Sequence, residues 1–225
     1  MRHCGFVLCA WQSVALVSLL AIPAWSSVLY SDGAINGTLG GNFINEGTEI
    51  SDSFTISSNA TVAMVSNIGL WLDAGDIPGT VSWVISTSHD GGGTVEGSGS
   101  GVSLSSTFLE DSPGGTYAIY SASFSAGGLA LSAGTYYLEL EDAATSSGLA
   151  SGPAVFWDVV TGGPSAEYED GTLEGSPNSF EIDGAEDIVP EPSAWSLSGL
   201  GIALLTGVAL RRGPRKATEN GSARP

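Results

Sequence analysis

At 225 residues the chain allows one domain, or two small ones, together with processing segments. Its six Lys and Arg residues all lie at the ends (Arg2, Arg211, Arg212, Arg215, Lys216 and Arg224), while 22 of the 24 acidic residues fall between Ser27 and Val189, where there is no Lys or Arg. That polyanion offers no cation to a phosphate backbone and no lysine to a phosphate loop, which excludes nucleic-acid binding and P-loop nucleotide chemistry by this region.

The chain opens with Met1, Arg2 and His3, followed by an apolar run from Phe6 to Ile22, then Pro23 and Ala24-Trp25-Ser26. A short positive start, an apolar stretch and small residues at Ala24 and Ser26 form the pattern of a secretory signal over residues 1–26, cut by signal peptidase after Ser26. An uncleaved anchor is the alternative. The two cysteines, Cys4 and Cys9, both lie within residues 1–26, so the exported chain is expected to hold no disulfide. Its fold then depends on its own core, and a domain of about 160 residues buries roughly 70% of its unfolded surface.

Residues 27–183 carry the period of β-strands. Val81, Trp83 and Ile85 alternate with Ser82, Val84 and Ser86; Tyr136, Leu138 and Leu140 alternate with Tyr137, Glu139 and Glu141; and Ala118, Tyr120, Ala122 and Phe124 share one face. Turn residues separate the runs, among them Asp32-Gly33, Asn36-Gly37, Asp90-Gly91-Gly92-Gly93 and Pro113-Gly114-Gly115. The pattern predicts an all-β domain of roughly nine to eleven strands, a two-sheet β-sandwich of jelly-roll type. Gly91 to Gly101, rich in Gly and Ser, reads as a long hairpin loop. Residues 184–192 read as a linker.

Within this domain His89 is the single histidine and there is no cysteine, so a histidine-based triad or a zinc site has little to draw on. His89, beside Asp90 in a glycine-rich turn, reads as an exposed loop residue. Paired carboxylates could serve a glycoside hydrolase, but no spacing raises one pair above the rest. Calcium, which takes oxygen ligands in loops, is the one cofactor these residues suggest; the best clusters are Asp73 with Asp76, the run from Glu167 through Glu169 and Asp170 to Gly171, and Glu181 with Asp183, against a plain solvated acidic face. Trp83 and Trp157 share faces with apolar residues and are assigned to the core. Trp71 and Tyr137 lie opposite apolar faces and are the candidates for sugar contact.

The C-terminal part reads Val189-Pro190-Glu191-Pro192-Ser193, then 193–210 without a charge, then Arg211, Arg212, Arg215 and Lys216. An apolar span of this length suffices for a short transmembrane helix, since about 17 residues is the lower end. The basic cluster over residues 211–225 acts as a membrane stop that stays cytoplasmic. In its triplet, span and basic end, in that order, the segment resembles the PEP-CTERM sorting signal of Gram-negative bacteria that make exopolysaccharide. The resemblance covers roughly the last 30 residues. It implies recognition of Pro190, Glu191 and Pro192 by an exosortase-type membrane enzyme, with the two prolines keeping the site extended. A plain anchor with a proline-kinked entry is the alternative. Phe156-Trp157-Asp158, Gly163-Pro164-Ser165 and Ser179-Phe180 are similar to segments of central domains found with this tail. The resemblance implies an exported, sorted protein of the cell surface or extracellular matrix, non-catalytic and associated with exopolysaccharide or biofilm. A carbohydrate-binding module is the second reading and a glycoside hydrolase the third.

Overall fold

The alternation of apolar and polar residues is realised as thirteen strands, with no helix among the described residues. The computed structural model describes residues 26–187, apart from 39, 46, 148–154, 170 and 174. In chain order the strands are β1 (Ser27–Ser31), β2 (Gly41–Phe43), β3 (Ile50–Ile56), β4 (Ala60–Asp73), β5 (Pro78–Ser86), β6 (Val95–Ser103) and β7 (Ser105–Asp111). They continue with β8 (Tyr117–Leu131), β9 (Gly134–Thr145), β10 (Val155–Asp158), β11 (Glu167–Glu169), β12 (Thr172–Leu173) and β13 (Glu181–Glu186).

These strands form two antiparallel sheets. The first has seven strands and is organised around β4, whose one edge pairs with β8 along most of its length. The other edge of β4 is shared: β13 takes Ala60–Ser66 and β10 takes Leu70–Leu72. Between the two partners Gly69 donates its N–H to the hydroxyl of Ser179 at 2.9 Å, so a side chain completes the ladder where no strand does. The second sheet runs β12-β11-β3-β9-β5-β6.

The inner faces meet in one apolar core. Val62, Val65, Ile68, Leu70 and Leu72 of β4 and Phe124 of β8 face Ile50 and Phe54 of β3, Val81, Trp83 and Ile85 of β5, and Leu138 and Leu140 of β9. Trp157 and Phe180 are fully buried with them. Each such side chain contributes roughly 1.5–3 kcal/mol when wholly removed from water. The predicted core positions of β5 and β9 are therefore as expected, and the sandwich-like all-β architecture is present.

Three boundaries differ from the sequence reading. β2, β11 and β12 span only two or three residues each, too short to display a period, and they raise the strand number above the expected range. Residues 95–103 form the edge strand β6 instead of a loop. The reason is Trp83, which lies beneath this strand: a Cβ on Gly99 would meet its indole at 2.5 Å, and one on Gly97 would meet Leu129 at 3.0 Å. The glycines that suggested a loop are the ones that let backbone lie on a large ring. Finally, Gly184, Ala185 and Glu186 pair with Val62, Thr61 and Ala60, so the first three residues of the expected linker belong to a strand and the compact unit runs to Glu186. The expected signal peptide through Trp25 (Ala24 included), the Pro190-Glu191-Pro192 motif, the 193–210 span and the Arg211, Arg212, Arg215 and Lys216 cluster lie outside the described residues.

Candidate functional site

Strand β9 lies at the centre of the second sheet, between β3 and β5. Its alternation turns Leu138 and Leu140 into the core and leaves Tyr137, Glu139 and Glu141 on the outer face. Two neighbours build on that face. Strand β11 adds Tyr168, paired with Ser51 of β3, which is itself paired with Glu139. The turn between β5 and β6 folds back over β3, where the Asp90 N–H and carboxylate both approach the Ser51 hydroxyl, at 3.4 and 3.5 Å. Ser51 and Glu139 are buried although they belong to an outer face, because this turn covers them.

The turn also carries His89 into an aromatic cluster. Its ring stacks on Tyr168 at 4.2 Å with 7° between planes, and it meets Tyr137 edge-on at 6.0 Å. Tyr137 and Tyr168 are in edge contact at 5.9 Å. His89 Nδ1 lies 2.7 Å from the Asp90 carboxylate. The histidine lies in a loop, as the sequence suggested, with 36% of its side chain exposed, and it packs there against two tyrosines. Its hydrogen bond goes to a carboxylate rather than to a hydroxyl that it could activate. Tyr137 remains half-buried on the surface, and burial, followed by its contact with Tyr168, raises its pKa.

Next to the rings the acids converge. Glu139, Glu141 and Glu49, the residue before β3, bring one carboxylate oxygen each to within 4.8 Å of one another. Among the described residues this is the only group of three or more His, Cys, Asp or Glu so disposed. Desolvation pushes the Glu139 carboxyl up to about 7, with Glu49, Glu141 and Asp90 adding repulsion and the Gly91 N–H acting against it. Glu141 is raised in the same direction, by burial first and then by Asp142 and Glu49.

The sequence placed its calcium candidates elsewhere. Asp73 is exposed and shares a tight turn with Asp76, whose N–H donates to the Asp73 carbonyl at 3.0 Å; among the described residues no third carboxylate joins them in a group. Glu169 is half-buried on β11, and Asp170 lies outside the described residues. Glu181 accepts from the Ser31 hydroxyl and Asp183 from the Ser66 hydroxyl, each engaged on its own. The grouping that does form was visible only as Glu139-Leu140-Glu141. The pairing of Ile50 with Leu140, which sets Glu49 opposite Glu141, is a tertiary fact.

Trp71 does not supply a sugar platform. It is 8% exposed, its indole N–H donates to the buried Asp158 carboxylate at 2.6 Å, and its ring packs on Tyr117. Only its rim reaches an open depression of about 290 Å³ bounded by Thr38, Gly40, Ser112, Pro113, Thr116 and Tyr117. Outward-facing positions on the first sheet are not solvent-facing where loops cross them, and that explains the correction.

A second group of acids, missed by sequence reading, is buried around β3. Asp52, fully buried on β3, accepts from Asn178 through the backbone N–H at 2.7 Å and the amide at 3.0 Å, and from the Ser165 hydroxyl at 3.2 Å. Asp32 accepts from the Ser165 N–H at 3.2 Å and the Tyr30 hydroxyl at 3.0 Å. Burial raises Asp52 to about 8; nearby Asp32 and Glu167 push the same way and the Asn178 donors oppose them. The segments around Trp157, Ser165 and Ser179 frame this network. Trp157 donates to the Ser179 carbonyl at 2.7 Å, and the Ser179 N–H to the Asp158 carbonyl at 2.8 Å. Their part in the molecule is structural.

No protein-family model matches the chain, and no curated protein matches it.

Proposed function

We propose that the chain is an exported surface or extracellular-matrix protein, sorted through its Pro190-Glu191-Pro192 tail by an exosortase-type enzyme. Its acidic, non-catalytic, jelly-roll-like sandwich meets extracellular polysaccharide. In this reading signal peptidase cuts after Ser26, residues 193–210 hold the precursor in the membrane, and sorting delivers the domain to the surface or the matrix. The observation that supports the reading is where the described strands lie. The first of them opens at Ser27, the residue after the expected cut, and the last ends at Glu186, four residues short of Pro190. Neither expected processing point interrupts a described strand. The jelly-roll path is supported by repeated crossing: β2 to β3, β3 to β4, β4 to β5, β6 to β7, β8 to β9, β9 to β10, β10 to β11 and β12 to β13 each change sheet.

The test is the intact mass of the protein recovered from membrane and medium fractions of the cells that make it. A mass starting near Ser27 and ending near Pro190–Pro192 is expected. Retention of the 193–210 span in every fraction would reduce the tail to an ordinary anchor and end the sorting proposal. The carbohydrate-binding alternative is favoured by one feature, the His89, Tyr137 and Tyr168 cluster on an outer sheet face. Aromatic side chains of this kind offer apolar area with a polar tip. Affinity electrophoresis in neutral and acidic polysaccharide gels should then show retardation that Tyr137→Ala removes. Equal mobility of parent and variant in every gel discards that alternative.

A further inference from the structure

The outer acidic triad has a feature that an ordinary solvated face lacks. Glu139 is 4% exposed, and its Oε2 is buried without a hydrogen-bond partner. A carboxylate oxygen stripped of water and left unpaired is costly unless something compensates it. No protein cation can do so, because the chain has no Lys or Arg between Ser27 and Val189. His89, the one histidine of the domain, is paired with Asp90. Three carboxylates therefore lie together, one of them buried, in a domain with no Lys or Arg to neutralise them.

We propose that Glu49, Glu139 and Glu141 bind a divalent cation of the calcium class, through one carboxylate oxygen from each. The spacing admits that ion: one oxygen of each carboxylate lies within 4.8 Å of the others, and oxygens bonded to one calcium at about 2.4 Å lie no more than about 4.8 Å apart. Calcium is favoured over magnesium because it accepts an irregular all-carboxylate set, whereas magnesium demands a near-ideal octahedron and keeps several waters. The backbone holds the ligands in register. Glu139 and Glu141 are alternate residues of β9 on one face, and antiparallel pairing of Ile50 with Leu140 sets Glu49 across from Glu141. Three carboxylates leave further coordination positions to water, so the affinity belongs to the weak extracellular range, with Kd on the order of 10⁻⁴–10⁻³ M. Such a site fills where calcium is millimolar. It also ties the start of β3 to β9 and lies beside the Tyr137 cluster, where a bound cation with open positions can receive an acidic sugar. The cation site itself does not depend on the sorting proposal, and its test is separate from the processing experiment.

The experiment is a terbium titration of the full chain, followed by competition with calcium chloride and magnesium chloride. Tyr137, two residues from Glu139 on the same face of β9, lies about 7 Å along the strand and can sensitise the lanthanide. Saturable emission is expected, reversed by calcium at concentrations at least tenfold lower than magnesium. Glu139→Gln should weaken binding at least tenfold while its melting temperature without added metal stays at or above that of the parent. Glu49→Gln, at the half-buried strand entrance, should weaken binding with no buried atom disturbed and serves if the first variant does not fold. Emission that fails to saturate overturns the site, as does emission equal in the parent and both variants, which would locate the ions elsewhere on the acidic surface. Equal competition by magnesium overturns the assignment to calcium.

Discussion

Asp52 is the residue at which sequence and environment conflict most. It stands on β3 in alternation with Ile50, Phe54 and Ile56, so the strand turns a carboxyl toward the core face, and it is fully buried. Its acceptors are matched by Asn178 and Ser165, so the cost is one of charge and not of missing hydrogen bonds. With its pKa raised to about 8, against about 4 in the unfolded chain, the protonated form is the one the fold favours. The stability linked to this group is complete below about pH 4 and is lost as pH rises through about 8. The domain should therefore melt at a higher temperature at pH 5 than at pH 8.5. A loss on the order of a few kcal/mol corresponds to roughly 5–10 °C for a domain of this size. Asp52→Asn keeps the shape and removes the titration, so the variant should overtake the parent at pH 8.5 and show a flatter profile. A variant whose melting temperature tracks the parent across that range would mean that Asp52 does not titrate as argued.

Among the elements, what the sequence could show depended on whether period or contact set the structure. β5 and β9 were legible because their side chains alternate for five residues or more and face one core. β6 was not, since Gly97, Gly99 and Gly101 suggest a loop until Trp83 is known to lie beneath them. The site divides in the same way. Tyr137 was legible from its position opposite Leu138 and Leu140, whereas Glu49 joins Glu141 only through strand register and His89 joins Tyr168 only because a turn folds over β3. Trp71 was misplaced because strand alternation predicts a face but not the loops laid over it. The dependence of β6 on glycine gives a direct test. In Gly99→Ala the new Cβ would meet Trp83 Nε1 at 2.5 Å and Val102 Cγ2 at 2.8 Å, so the strand must lift or the indole must turn. Crowding of this kind costs about 1–3 kcal/mol. Urea unfolding followed by Trp fluorescence should give a lower midpoint with an unchanged slope. An unaltered midpoint would show that β6 has room to spare over Trp83.

For the molecule as a whole, charge of a single sign replaces the usual mixture. The chain carries a formal charge of −18, and its basic residues are confined to the two ends, so the sandwich itself is more negative than the total suggests. Among the described residues the one ion-pair geometry is His89 with Asp90, which is charged on both sides only when the histidine is protonated. Attraction between charges therefore contributes little to this fold, and mutual repulsion opposes it. The screening length falls from about 30 Å at 0.01 M salt to about 8 Å at 0.15 M, which is enough to uncouple carboxylates on opposite sides of the domain. Sodium chloride should then stabilise the protein, the reverse of its effect on a domain held by surface ion pairs. Melting the full chain across that range at pH 7.5 should show a rise of several degrees, since about 1 kcal/mol moves the midpoint by roughly 2–4 °C at this size. Calcium chloride at matched ionic strength should add to the rise through Glu49, Glu139 and Glu141, and Glu139→Gln should lose only that added part. A melting temperature that stays level or falls with sodium chloride would mean that the carboxylates are already neutralised, by protonation or by ions that survive purification, and atomic emission of the purified protein distinguishes those two cases.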